Sequence, residues 1–122
     1  MATITKQVLS GAPTGNHGNK LTDTSTSSNT DLGYLIHTAV SGTTNMDEIW
    51  LWASNTSASD VKVTVEFGGK DVDDQIVVKV VAESTELVVP GLILNNASVV
   101  TAFAGTGNVI TIFGYANRLD YS

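Results

Sequence analysis

Residues 47–69 read DEIWLWASNTSASDVKVTVEFGG. They contain two alternating apolar runs, 48–54 and 60–67, joined by a short link of Asn, Thr, Ser and Ala. In the second run Val61, Val63, Val65 and Phe67 fall on one face, and Lys62, Thr64 and Glu66 on the other. Strand side chains point alternately to opposite faces, so this pattern predicts a half-buried strand. The first run differs: Ile49, Leu51 and Ala53 share one face, while Trp50 and Trp52 share the other. Both faces are apolar, which suits a strand in the middle of a sandwich or beneath a partner subunit. Together the two runs read as a hairpin.

Working outward, the same signal recurs. Residues 32–40 (LGYLIHTAV), 75–82 (QIVVKVVA), 83–89 (ESTELVV), 97–104 (ASVVTAFA) and 108–116 (NVITIFGYA) all read as strands. Turn-prone pairs or clusters separate them: 41–45, Gly68-Gly69, 70–74, Pro90-Gly91, Asn95-Asn96 and 105–107. No window sustains apolar residues at i, i+3, i+4, i+7, so no long helix is expected. Seven or eight short strands with turns every 8–12 residues predict an all-β fold, an antiparallel β-sandwich or jelly roll.

Residues 1–31 differ in kind. Of residues 10–31, fifteen of 22 are Ser, Thr, Asn or Gly. So polar a segment buries too little apolar surface to offset the entropy of ordering it. The expected division is an extended N-terminal arm, 1–31, and a sandwich domain, 32–122. Fully extended, the arm would span on the order of 100 Å, enough to reach a neighbouring subunit. Ile4, Val8, Leu9 and Leu21 are its candidate anchors. A plain floppy tail is the bland alternative.

Composition narrows the function classes. The 122 residues suffice for one domain, and 42% hydrophobic content supports a core. Twelve acidic against six basic residues give a net charge of −6. That balance argues against nucleic acid, whose phosphates need Lys and Arg, and against an anionic membrane surface. Cysteine is absent, which removes disulfides and thiolate metal sites. The first residues lack a run resembling a signal peptide, and no stretch approaches a membrane span. A soluble protein assembled in the cytoplasm is expected.

Chemistry-bearing motifs are scarce. His17 lies in the polar arm and His37 in a strand, and neither has the i, i+4 partner of a zinc helix. His37 is expected at a wall or interface. Asp71, Asp73 and Asp74 could offer oxygens to Ca²⁺ but lack the spaced ligands and closing Glu of an EF-hand loop, so a solvated turn is expected. The Gly11–Lys20 region matches no phosphate-binding fingerprint. Asn55-Thr-Ser57 and Asn96-Ala-Ser98 fit the glycosylation triplet but read as turn chemistry. No nucleophile–base pair is readable, so neither an enzyme nor a cofactor is expected. Trp50, Trp52, Tyr34, Tyr115 and Phe113 could stack on a sugar, or fill a core or subunit interface. Trp50, Trp52, Tyr34, His37 and Tyr115 are the candidate oligomer-interface residues.

The 47–69 stretch, the Leu87-Val-Val-Pro-Gly-Leu-Ile-Leu94 segment and the closing Asn108-Val-Ile-Thr-Ile-Phe-Gly-Tyr115 resemble small virion structural proteins of tailed phages. The shared layout is an apolar strand, a Ser54-Asn-Thr-Ser57 turn, a Val61-Lys-Val-Thr-Val65 strand and a Pro-Gly turn before a final apolar strand. The resemblance covers about residues 32–116 and is one of pattern. It implies a capsid decoration (cement) protein on the virion surface, often a homotrimer, clamping neighbouring copies of a major capsid protein. A tail, head–tail junction or fibre-associated protein is one alternative; a carbohydrate-binding module is another, and a small β-barrel enzyme or ligand binder a third.

Overall fold

A computed structural model of the chain describes residues 2–22, 24 and 33–121. Among these residues nine strands form two antiparallel sheets: β1 Thr3–Gln7, β2 Asn19–Lys20, β3 Tyr34–Thr38, β4 Met46–Asn55, β5 Val61–Phe67, β6 Gln75–Val80, β7 Thr85–Leu94, β8 Val99–Ala104 and β9 Ile110–Asp120. The first sheet runs β1-β9-β4-β7, with β2 beside β9; the second runs β3-β8-β5-β6. A single 3₁₀ turn, Val72–Asp74, is the one helical element among the described residues.

The pairing is nested: β1 with β9, β3 with β8, β4 with β7, β5 with β6. A long antiparallel hairpin folded over on itself gives this order, which is the jelly-roll arrangement. The all-β sandwich expected from alternation is therefore the observed fold. Between the sheets lie Ile49, Leu51, Ala53, Ile110, Ile112 and Ala116 from the first, and Val61, Val63, Val65, Val80, Val100 and Ala102 from the second. β-Branched residues dominate this layer because they pack well on a pleated surface.

The 47–69 stretch is not a hairpin. β4 pairs with β7 and β9, whereas β5 pairs with β6 and β8 in the opposite sheet. The link turns a corner between layers, and Asn55 builds that corner. Its buried Oδ1 accepts from the Ser57 N–H and hydroxyl, while Nδ2 donates to the Ser59 and Val80 carbonyls. One side chain satisfies backbone groups that strand pairing leaves open, as buried polar atoms require.

Pro90-Gly91 is not a turn either. Both residues sit within β7, where the register to β4 shifts between Pro90 and Leu92. The extra residue makes a bulge, with Gly91 at φ +75°. β7 is an edge strand, so the missing Pro90 N–H leaves no ladder bond unmade.

The described part of residues 2–22 belongs to the sandwich. β1 pairs along Gln7–Thr3 with Ala116–Asp120 of its own chain, and Leu9 and Leu21 are buried in the core. Two leucines supply the apolar anchors of this segment, and polar side chains stitch it down. Asn16 Oδ1 accepts from the Leu9 N–H and its Nδ2 donates to the Gly114 carbonyl. The expected boundary at 31/32 lies outside the described residues.

Candidate functional site

Alternation along β4 and β9 sets two faces on the first sheet. Outward from the sandwich point Glu48, Trp50 and Trp52 on β4, opposite Asn117, Tyr115 and Phe113 on β9. Leu87, Pro90 and Ile93 of β7 extend this surface on one side. Ile4 and Lys6 of β1 extend it on the other, with Val8 beyond them. Large apolar groups here are open to solvent: Ile4 67%, Val8 62%, Ile93 53%, Phe113 45%. The Trp52 and Tyr115 rings stack at 6.2 Å between centroids, inclined by 29°.

Polar groups hold the aromatics in place. Glu48 Oε1 accepts from the Trp50 indole Nε1 at 2.8 Å and from Asn117 Nδ2 at 3.0 Å. Those two bonds, the indole's first, hold the Glu48 carboxyl below its ordinary pKa despite some desolvation. Trp50 lies flat over the bulge: a Cβ on Gly91 would stand 2.7 Å from Trp50 Cζ2. Lys6 Nζ sits 4.7 Å from the Tyr115 ring centroid, a cation–π contact. No cavity is found among the described residues.

Of the five expected interface residues, the structure brings together Trp50, Trp52 and Tyr115. Tyr34 lies on the other sheet, half-buried against the core. His37 is buried inside the sandwich. A bulge at Ile36 breaks the alternation of β3, so Ile36 and His37 both turn inward. Of the expected arm anchors, Leu9 and Leu21 are spent in the core, whereas Ile4 and Val8 remain exposed.

His37 belongs to a second cluster that sequence reading missed. Its Nε2 lies 2.9 Å from Asp47 Oδ2, and its Nδ1 accepts from the Ser10 N–H at 3.0 Å. An acceptor at Nδ1 assigns the ring proton to Nε2, which donates to the carboxylate. Arg118 closes the cluster with Nε to Oδ1 at 2.8 Å and a second bond to Oδ2 at 3.0 Å, and the Val40 N–H also donates to Oδ2. Burial is the largest influence on Asp47 and acts to raise its pKa. The hydrogen bonds of Arg118 and His37 and the charge of Arg118 outweigh it, leaving the carboxyl below its ordinary range. The Asp47 bond raises Arg118 in turn. The cluster ties β3 of one sheet to β4 and β9 of the other.

Ser10, His37 and Asp47 converge, but not as a nucleophile, base and orienting acid. The Ser10 hydroxyl accepts from the Thr38 N–H at 2.6 Å, and it is the Ser10 backbone amide that meets the imidazole. A triad needs the hydroxyl there. Glu66, expected on a solvent face, is buried on the outer side of the second sheet, where Oε1 accepts from the Gly33 N–H and the Thr101 hydroxyl. Asp71 precedes the 3₁₀ turn and Asp73 and Asp74 lie within it, and no group of three candidate metal ligands occurs among the described residues. No described helix is long and apolar enough to cross a membrane.

Comparison with protein-family models, curated proteins and solved structures returned no match to this chain.

Proposed function

We propose that this chain is a structural assembly protein, and specifically a capsid decoration protein that seats on a shell of major capsid protein at the virion surface. One observation carries the reading: the aromatic face of the first sheet, with Trp50, Trp52, Phe113 and Tyr115 set side by side and no cavity among the described residues. An exposed apolar surface suits burial against protein, whereas small-molecule sites are concave. The phage assignment itself rests on the sequence resemblance; the jelly roll agrees with it only as an analogy of fold.

The decisive experiment is purification of intact particles and measurement of this chain's copy number relative to the shell protein. A fixed stoichiometry that falls on Trp52→Ala, with the variant still folded, supports decoration. Absence from particles overturns it, and confinement to tails overturns the capsid position.

A second reading has its own observation. Glu48 and Asn117 converge beside Trp50, as a sugar-binding platform would require. Against it, Lys6 already occupies one face of the Tyr115 ring. Glycan-array binding abolished by Trp50→Ala in a folded variant would establish the carbohydrate module instead.

A further inference from the structure

The outward face of the first sheet has an internal regularity that selects its occupant. Lys6 on β1 and Glu48 on β4 both pair with Asn117 on β9. The three therefore stand in one row, with the opposite charges one strand spacing, about 4.8 Å, to either side of the central strand. Rotation by half a turn about an axis along β9, in the plane of the face, exchanges those two positions. A second copy laid on by that rotation sets its Glu48 over Lys6 and its Lys6 over Glu48.

We infer that the occupant of this face is a second copy of the chain, related by a two-fold axis along β9, with reciprocal Lys6–Glu48 pairs across the interface. The inference rests on the assembly reading above and names the partner at the same surface. It departs from the trimer that the sequence resemblance implies.

Neighbouring rows fit the same operation. Ile4 and Met46 both flank Leu119, so the rotation lays one over the other's counterpart as an apolar contact. Lys20 shares the Thr111 row with Ser54, so its counterpart across the interface is uncharged. Tyr115 and Phe113 lie on β9 itself and meet their own copies near the axis. A two-fold contact is self-complementary in this way by construction.

Charge and area agree. The chain carries −6, yet among the described residues the charged side chains this face presents are Lys6, Glu48 and, at the rim, Lys20. Two copies can approach here without the repulsion that other faces would impose. Three strands of some ten residues, with the shorter β1 and β2 sharing the fourth position and all about 4.8 Å apart, cover on the order of 600 Å² in plan, before side-chain relief is added. Stable interfaces bury about 800 Å² per partner. Glu48 uses Oε1 for both Trp50 and Asn117, leaving Oε2 to accept from a partner's Lys6.

The test is solution mass, by sedimentation or light scattering, on the full chain and two charge-reversal variants. The wild-type chain is expected as a dimer. Lys6→Glu alone and Glu48→Lys alone each place like charges across the axis and are expected as monomers with at least tenfold weaker self-association. An equimolar mixture of the two restores opposite pairs and is expected to form a heterodimer. A monomeric or trimeric wild-type chain overturns the inference without recourse to any variant. So does a dimer that either reversal leaves intact. Particle co-purification is read separately: a chain that decorates particles yet is monomeric in solution overturns the two-fold contact and leaves the assembly reading standing. A dimer missing from particles does the reverse.

Discussion

Asp47 shows how one residue's environment becomes a property of the molecule. Its carboxylate is fully buried yet accepts four hydrogen bonds, two from Arg118 and one each from His37 and the Val40 amide. A folded-state pKa held below the unfolded value stabilises the protein at pH values above the unfolded pKa, and that stabilisation is lost as pH falls through the folded value. Thermal stability is therefore expected to fall below about pH 4. Asp47→Asn should remove about 3 kcal/mol at neutral pH, because Arg118 loses its counter-charge and the Nε2–H of His37 can meet an amide NH₂. The variant's melting temperature should vary less between pH 5 and 3 than the wild type's, a comparison that calorimetry makes directly. Ala97 offers a change of opposite sign. It follows Asn96 in the tight turn closed by Ser98 N–H to the Asn95 carbonyl, and both central residues have positive φ, 57° and 55°. That turn type favours glycine, since an L-residue is strained in the left-handed region. Ala97→Gly is expected to raise stability by up to about 1 kcal/mol, net of the added unfolded-state entropy, as urea denaturation would show.

At the scale of elements, the first 22 residues divide by burial. β1 is exposed along nearly its whole length, while Leu9 and Leu21 fill the core. Deleting residues 2–7 is expected to leave a folded sandwich with a modest fall in melting temperature. Deletion through residue 22 removes two buried leucines, each worth about 2–5 kcal/mol, and should abolish cooperative unfolding, a contrast readable by near-UV circular dichroism. The bulge in β7 is similarly specific. Gly91→Ala would place a methyl against the Trp50 ring on a backbone with positive φ. It should displace the indole and quench or shift its fluorescence while the far-UV spectrum stays β-like. These elements also mark how far sequence reading reached. Alternation in 61–67 and 48–54 located β4 and β5, because period two is a local property. It misjudged their relation as a hairpin, since the choice of sheet depends on the Asn55 corner and on partners distant in the chain. Pro90-Gly91 carried a true turn signal that an edge-strand bulge can also satisfy.

For the whole molecule, the jelly roll leaves one broad sheet face with exposed apolar side chains. If that face closes on another protein surface or copy, stability and association are linked, and the melting temperature should rise with protein concentration. Scanning calorimetry across a hundredfold concentration range reads this, and a constant melting temperature would mean that the face stays open in solution. Trp50 and Trp52 were legible as sharing one face of β4 from their spacing alone. Lys6, Glu48 and Asn117 were not, because their alignment in one row follows from the pairing of β1, β9 and β4.

The amino-acid sequence by itself determined the β class, the inward set of Ile49, Leu51, Val61, Val63 and Val65, and the two-sided character of β4. Each follows from the two-residue period of a strand, which needs no knowledge of neighbours. Tertiary structure alone decided that His37 is a buried ligand of Asp47, that Leu9 and Leu21 are core residues, and that the aromatics of β4 and β9 form one face. Those facts depend on register between strands as far apart as β1 and β9. Register is set by the collective packing of both sheets, a non-local quantity that no single stretch encodes.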